Sequence, residues 1–163
     1  MGSEMCIIDR MKRDGLFHEF RQLLAEMIEA KREITEAFRL AKQRIDLANA
    51  IEGGLAVRAA AIANSAHPEV EVERRNIMGV VVPSVSGTNL KSTFAERGVG
   101  FIGSSPYIDE ASDSFSELIE KIVKAAEMEA TLKRLLEEIE ATKRRVNALE
   151  FKVIPCLLYT SPS

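Results

Sequence analysis

Apolar residues recur every seventh position along two stretches of this 163-residue chain, and that period limits what the chain can build. The first series is Phe20, Met27, Ile34, Ala41, Ala48, Leu55 and Ile62; the second is Leu118, Ala125, Leu132, Ile139, Val146 and Val153. An α-helix turns once per 3.6 residues, so a seam repeating every 7 must under-wind and coil about a partner. The pattern predicts a mainly α protein: a long antiparallel two-helix coiled coil with a small central segment of short β-strands and loops. A slender pair of this kind transmits force or holds partners, and it leaves little room for a substrate pocket.

Composition narrows the function classes. Apolar residues reach 46%, yet aromatics are only 6% and Trp is absent, so Ala, Leu and Ile must supply helix seams rather than a thick mixed core. Charged residues nearly cancel, to a net −3, which provides no broad field for nucleic acid or anionic lipid. No apolar run approaches the roughly 20 residues that span a bilayer, and no apolar core follows Met1 as a secretory leader would require. These features predict no nucleic-acid partner and no direct membrane insertion. Cys6 and Cys156 lack the CxxC spacing of a zinc or redox site. They sit in MGSEMCIIDR and CLLYTSPS, ends that follow neither helical pattern and read as translated sequencing-adaptor sequence. Residues 1–10 and 156–163 are therefore set apart, with the authentic stretch expected from about Met11 to Pro155.

The first helix is predicted over 11–66, where no proline intervenes and second-row positions Leu16, Leu23, Ala30, Ala37 and Ile51 extend the seam, with Arg44 and Arg58 interrupting it. Gly53 and Gly54 cost roughly 1 kcal/mol each in a helix interior. They read as a soft spot or slight bend, or as a place where another chain approaches bare backbone. His67-Pro68 ends the helix. A central segment follows over 67–109. Within it Glu69–Arg75 alternates like a half-exposed strand, Ile77–Val82 is a second strand candidate ended by Pro83, and Ser84–Pro106 reads as loops. The second helix is predicted over 110–155, capped by Asp109 or by a Ser114/Glu117 box and stopped by Pro155. Glu117–Lys121, Glu120–Lys124, Glu129–Lys133 and Glu140–Arg144 lie four apart, acid first, as on a solvated helical face. Two helices in this order pair antiparallel, with the central segment expected at the tip where they are joined. The alanines at 30, 37, 41 and 48 make a thin seam, which predicts a third element, another protein, packed along the pair.

No chemistry-bearing constellation emerges, so catalytic, cofactor-binding and metal sites are all predicted to be none. Gly98-Val99-Gly100-Phe101-Ile102-Gly103 matches GxGxxG by letter, but Ser104-Ser105-Pro106 follows it and no βαβ unit surrounds it. His18 and His67 stand far apart without acidic neighbours at ligand spacing. Lys143-Arg144-Arg145 follows Glu137, Glu138 and Glu140, which makes a mixed-charge face rather than a phosphate-binding patch.

Three stretches carry a family resemblance. Lys12-Arg13-Asp14-Gly15-Leu16 with Glu19-Phe20 resembles the first helix of the D subunit of archaeal and vacuolar-type rotary ATPases. Arg75-Asn76-Ile77-Met78-Gly79-Val80 with Val82-Pro83 resembles that family's central segment, and Arg145-Val146-Asn147-Ala148-Leu149-Glu150 with Ile154-Pro155 is similar to the signature of its second long helix. The resemblance implies a non-catalytic central-stalk rotor subunit that couples ATP synthesis or hydrolysis to ion translocation by transmitting torque. It implies, as partners, the A and B subunits of the catalytic hexamer, the stalk's F subunit and the subunit that couples the stalk to the ion-carrying ring. It places the chain peripherally on the cytoplasmic side of the membrane, without a cofactor of its own. It also implies a chain that begins before Met11 and continues past Pro155, so that this sequence reads as a fragment lacking both termini. The helices alone leave two other readings open. An unrelated coiled-coil scaffold or RNA-binding arm would show salt-dependent RNA binding, and a nucleotide enzyme built on the glycine motif would bind NAD or ATP.

Overall fold

A computed structural model describes residues 2–64, 69–88 and 105–153. Helix α1 runs Gly2–Glu52, α2 Gly54–Ala63 and α3 Pro106–Ala148; strands β1 (Glu69–Ile77) and β2 (Val80–Thr88) pair as a hairpin, and a π-helical turn over Leu149–Val153 follows α3. The architecture is mainly α with a two-stranded central sheet, as the two seams and the alternating segment between them predict. These elements contribute to two compact units, the first from residues 2–26, 74–83 and 128–153, the second from 27–64, 69–73, 84–88 and 105–127.

In the first unit, the beginning of α1 lies antiparallel to the end of α3. Arg10 pairs with Glu150, and the Lys12 ammonium lies 3.0 Å from a Glu138 carboxylate oxygen. Partly exposed pairs such as these contribute little stability, about 0.2–1 kcal/mol each. The core that holds the unit is apolar: Leu16, Val80, Val82, Leu135 and Ile139 are buried together, with Phe20, Leu23 and Ile77 packed against them. Two of those five come from the hairpin. In this unit the chain's own β-ribbon packs against the helix pair.

The hairpin's location corrects an expectation. Its turn sits against Gly15 and Leu16, early in α1, and its valines meet Leu135 and Ile139, late in α3, so it does not cap the tip where the helices are joined. The strand extent differs too: β2 continues to Thr88, through the proline at 83 that is expected to end it. A two-stranded ribbon leaves alternate N–H groups pointing away from its partner, so a proline at such a position removes no ladder bond. The turn is a two-residue loop, Met78-Gly79, with φ of 51° and 83°. Positive φ at both positions is the type I′ geometry that matches strand twist. Asn76 Oδ1 accepts the Gly79 N–H at 2.7 Å and braces it.

In the second unit, α1 and α3 again run antiparallel. Glu33 meets Lys121, Arg44 meets Ser114 and Glu52 meets Ser105, so each advance along α1 is a retreat along α3. The seam is thin here: Ala41 and Ala48 are buried on one side, Ala111, Ser114, Leu118 and Ala125 on the other. The heptad series nevertheless fails beyond Ala48, because Leu55 and Ile62 are each 85% exposed. The cause is Gly53, whose φ of 87° and ψ of 149° lie outside helical space and separate α1 from α2. Such a backbone belongs to glycine. A seam can stay in phase only along one unbroken helix, so the single helix predicted over 11–66 is corrected to two.

Two further boundaries differ from expectation. Helix α3 starts three residues before Asp109: Ser105 Oγ accepts the Tyr107 N–H at 3.3 Å, its carbonyl accepts the Asp109 N–H, and Pro106 occupies the first helical position. A serine cap followed by proline is a strong helix start; in the sequence it is hidden because Ser105-Pro106 closes a loop-like run. At the other end of the chain, residues 2–10 continue α1 without a break, and Cys6 is buried.

Candidate interaction surfaces

The described parts of the three resembling stretches all belong to the first unit. Leu16 from the first and Ile77, Val80 and Val82 from the second pack with Leu135 and Ile139 of α3, which lie outside the third. Met78 lies over Gly15: a Cβ built there would overlap the Met78 methyl, the movable end of a flexible side chain. Val146 is 1% exposed, and Arg145 beside it turns outward to Glu138 at 3.4 Å and to Thr142 Oγ1 at 3.2 Å. Lys12 and Arg145 therefore share the carboxylate of Glu138, so this part of the basic run is engaged by the chain's own acid. This geometry fixes a β-turn onto a helix pair.

In the second unit the most specific polar contact is at Arg44, which in the sequence is only an interruption of the seam. Its guanidinium donates to Ser114 Oγ and approaches the Glu110 carbonyl at 3.5 Å, while Ser114 Oγ itself donates to that carbonyl at 2.8 Å. Beside it lies an open apolar groove of about 230 Å³ between Ile45, Val57, Ala60, Ile108, Ala111 and Phe115. Helix α2, which forms one wall, has no buried residue at all. Exposed apolar patches are the kind of surface through which proteins associate.

Of the residues weighed for chemistry in the sequence, only some lie among the described residues. His18 lies in an open depression with Asp14, Phe17, Arg21 and Gln22. His67 and the Gly98–Gly103 motif fall outside the described residues. Among the described residues there is no group of three His, Cys, Asp or Glu side chains that could hold a metal, and no helix is long and apolar enough to cross a membrane. Of the four intrahelical pairs, Glu117–Lys121 is seen at 3.8 Å, but Lys121 makes its shorter contact, 3.1 Å, with Glu33 on the opposite helix. That interhelical contact is invisible to a search along one helix.

Comparison with known proteins decides the family. The family model for the D subunit of ATP synthase matches residues 10–160. This chain belongs to the ATP synthase D-subunit family. Among its relatives, the A-type ATP synthase D subunit of Methanosarcina mazei is 51% identical over 151 residues, covering 93% of this chain and 72% of that protein. The A-type D subunits of Methanoregula boonei and Halorubrum lacusprofundi are 50% and 49% identical over 146 residues, 90% of this chain and 70% and 64% of theirs. The three resembling stretches and the seams between them all lie within the region matched to the D-subunit family.

Proposed function

We propose that this chain is the central-stalk rotor of an A/V-type ATPase, transmitting torque between an A/B hexamer and an ion-translocating ring. The observation that carries the reading is the antiparallel pairing of α1 with α3 inside both units, in a chain belonging to the D-subunit family. Paired helices resist twisting better than one, because any rotation of one must break seam packing with the other. A rod with unlike faces presents different surfaces to successive catalytic interfaces and biases each toward its open or closed state. Nucleotide chemistry then belongs to the A and B subunits, and this chain contributes no reacting group. The F subunit and the ring-coupling subunit are its other partners, and the exposed apolar α2 and its groove offer them surface. The assembly places the chain peripherally at the cytoplasmic face of the membrane.

Reconstitution tests this. The chain is mixed with A, B and F subunits, and the complex is isolated by size and assayed for ATP hydrolysis. The expected result is co-assembly, with hydrolysis arrested when an engineered disulfide ties the chain to a B subunit and restored on reduction. Failure to co-assemble, or hydrolysis indifferent to the tether, would overturn the rotor reading.

A further inference from the structure

The seam of the second unit is ambiguous in register. Ala41 and Ala48 on α1 face a series on α3, Ala111, Leu118 and Ala125, that repeats at the same seven-residue spacing. Sliding one helix by a heptad replaces one small apolar layer with another, and the area lost is small at about 25 cal/mol per Å². Packing alone therefore discriminates poorly between registers.

Polar contacts break the degeneracy, and one of them reaches into the seam. Arg44 occupies a seam position, half-buried, with its guanidinium on Ser114 Oγ and near the Glu110 carbonyl. Ser114 is itself 4% exposed, so this contact lies inside the seam rather than on its rim. A slide of seven residues in one direction brings Arg44 opposite Lys121, and two cations would then share the interface. In the other direction it meets Tyr107 and loses Ser114, which keeps only its own bond to the Glu110 carbonyl. The same slides would separate Glu33 from Lys121 and Glu52 from Ser105.

We propose that Arg44 is the register pin of this helix pair: a positioning residue whose role is to reject slid alignments of α1 against α3. A polar group in a coiled-coil seam is known to specify alignment at some cost in stability. The pin thus has a signature that an ordinary stabilising contact lacks. Replacing it with an apolar residue should preserve or raise thermal stability while releasing the register.

The test uses two double variants of the full chain. Ala48→Cys with Ala111→Cys reports the observed register, since both alanines lie between the Arg44–Ser114 and Glu52–Ser105 contacts. Ala48→Cys with Leu118→Cys reports a seven-residue slide. Oxidised samples are digested and the bridged peptides identified by mass spectrometry, which separates these bridges from any made by Cys6 or Cys156. With Arg44 present, only the 48/111 bridge should accumulate. With Arg44→Leu, the 48/118 bridge should rise by about tenfold, the population change that one hydrogen bond to a charged group supports. Arg44→Lys, which keeps the cation, should return the cross-link to 48/111. A bridge confined to 48/111 in the Arg44→Leu chain would overturn the proposal. Loss of helicity in that chain would overturn it too, because Arg44 would then be needed for folding rather than for alignment.

Discussion

The Met78 methyl occupies the volume in which a side chain at Gly15 would begin. The hairpin turn thus rests on the first helix through the Met78 side chain. Two opposing effects follow from Gly15→Ala. The helix gains about 1 kcal/mol in propensity, whereas the Met78 side chain, about half exposed and flexible, must swing away. Global stability by denaturant titration should change by less than about 1 kcal/mol. Amide exchange at 77–82 should nevertheless quicken, because the turn loses its seat. Gly15→Leu cannot be absorbed by one rotamer change, so global stability and the protection of 77–82 should fall together.

Leu135 and Leu136 are sequence neighbours with opposite fates, the first 1% and the second 44% exposed. Leu135→Ala removes buried methyl groups from the cluster with Leu16, Val80 and Val82 and should cost about 2–5 kcal/mol. Leu136→Ala should cost under about 1 kcal/mol in the isolated chain. Paired denaturation midpoints check this directly. If the two variants are equally destabilised, the hairpin-covered cluster is not where the unit's stability resides.

How much of the fold is legible in the sequence depends on the range of each signal. The seams are readable because heptad spacing depends only on sequence separation, so Met27, Ala41, Ala48, Leu118, Ala125, Ile139 and Val146 are buried as predicted. The strands are readable only in part: alternation marks 69–75, but the β-branched run Ile77–Val82, read as one strand, contains the Met78-Gly79 turn, and β1 is exposed on both faces rather than on one. The hairpin's resting place is not, because nothing local to Ile77 or Val82 encodes Leu16 or Leu135. Leu55 and Ile62 mislead because a correct period runs across Gly53, where backbone φ resets the phase. Arg44 looks like a blemish in the seam, since its partner Ser114 is 70 residues away.

Lys121 makes stability depend on alkaline pH. The hydrogen bond to Glu33 and then that residue's charge hold the Lys121 ammonium above its ordinary value of 10.5; desolvation opposes them, and Glu117 adds a smaller push the same way. A raised pKa means that the folded chain holds this proton more tightly than the unfolded chain does. The contribution is complete below the unfolded value near 10.5 and vanishes as pH rises through the higher folded value. Thermal melts of the parent chain and Glu33→Gln should therefore differ at neutral pH and converge above that range. The difference should also shrink with added salt, because the pair is solvent-exposed. A gap between the two melts that persists unchanged at high pH would mean that Glu33 acts through packing instead.

Thr131 offers a stabilising substitution. It is 2% exposed, and its Oγ1 has no hydrogen-bond partner among the described residues. A buried hydroxyl left without a partner carries a desolvation penalty of about 1–3 kcal/mol. Valine has nearly the same shape, the same branching at Cβ and similar helix propensity. Thr131→Val should therefore raise the denaturation midpoint, by roughly 1 kcal/mol in free energy, without altering the helical signal. Thr131→Ser, which keeps the hydroxyl but removes the methyl, should move stability the other way. The pair of variants separates the polar atom from the volume it fills: a loss on Thr131→Val would show that the hydroxyl is engaged in solution, by water or by the Glu127 carbonyl one turn earlier.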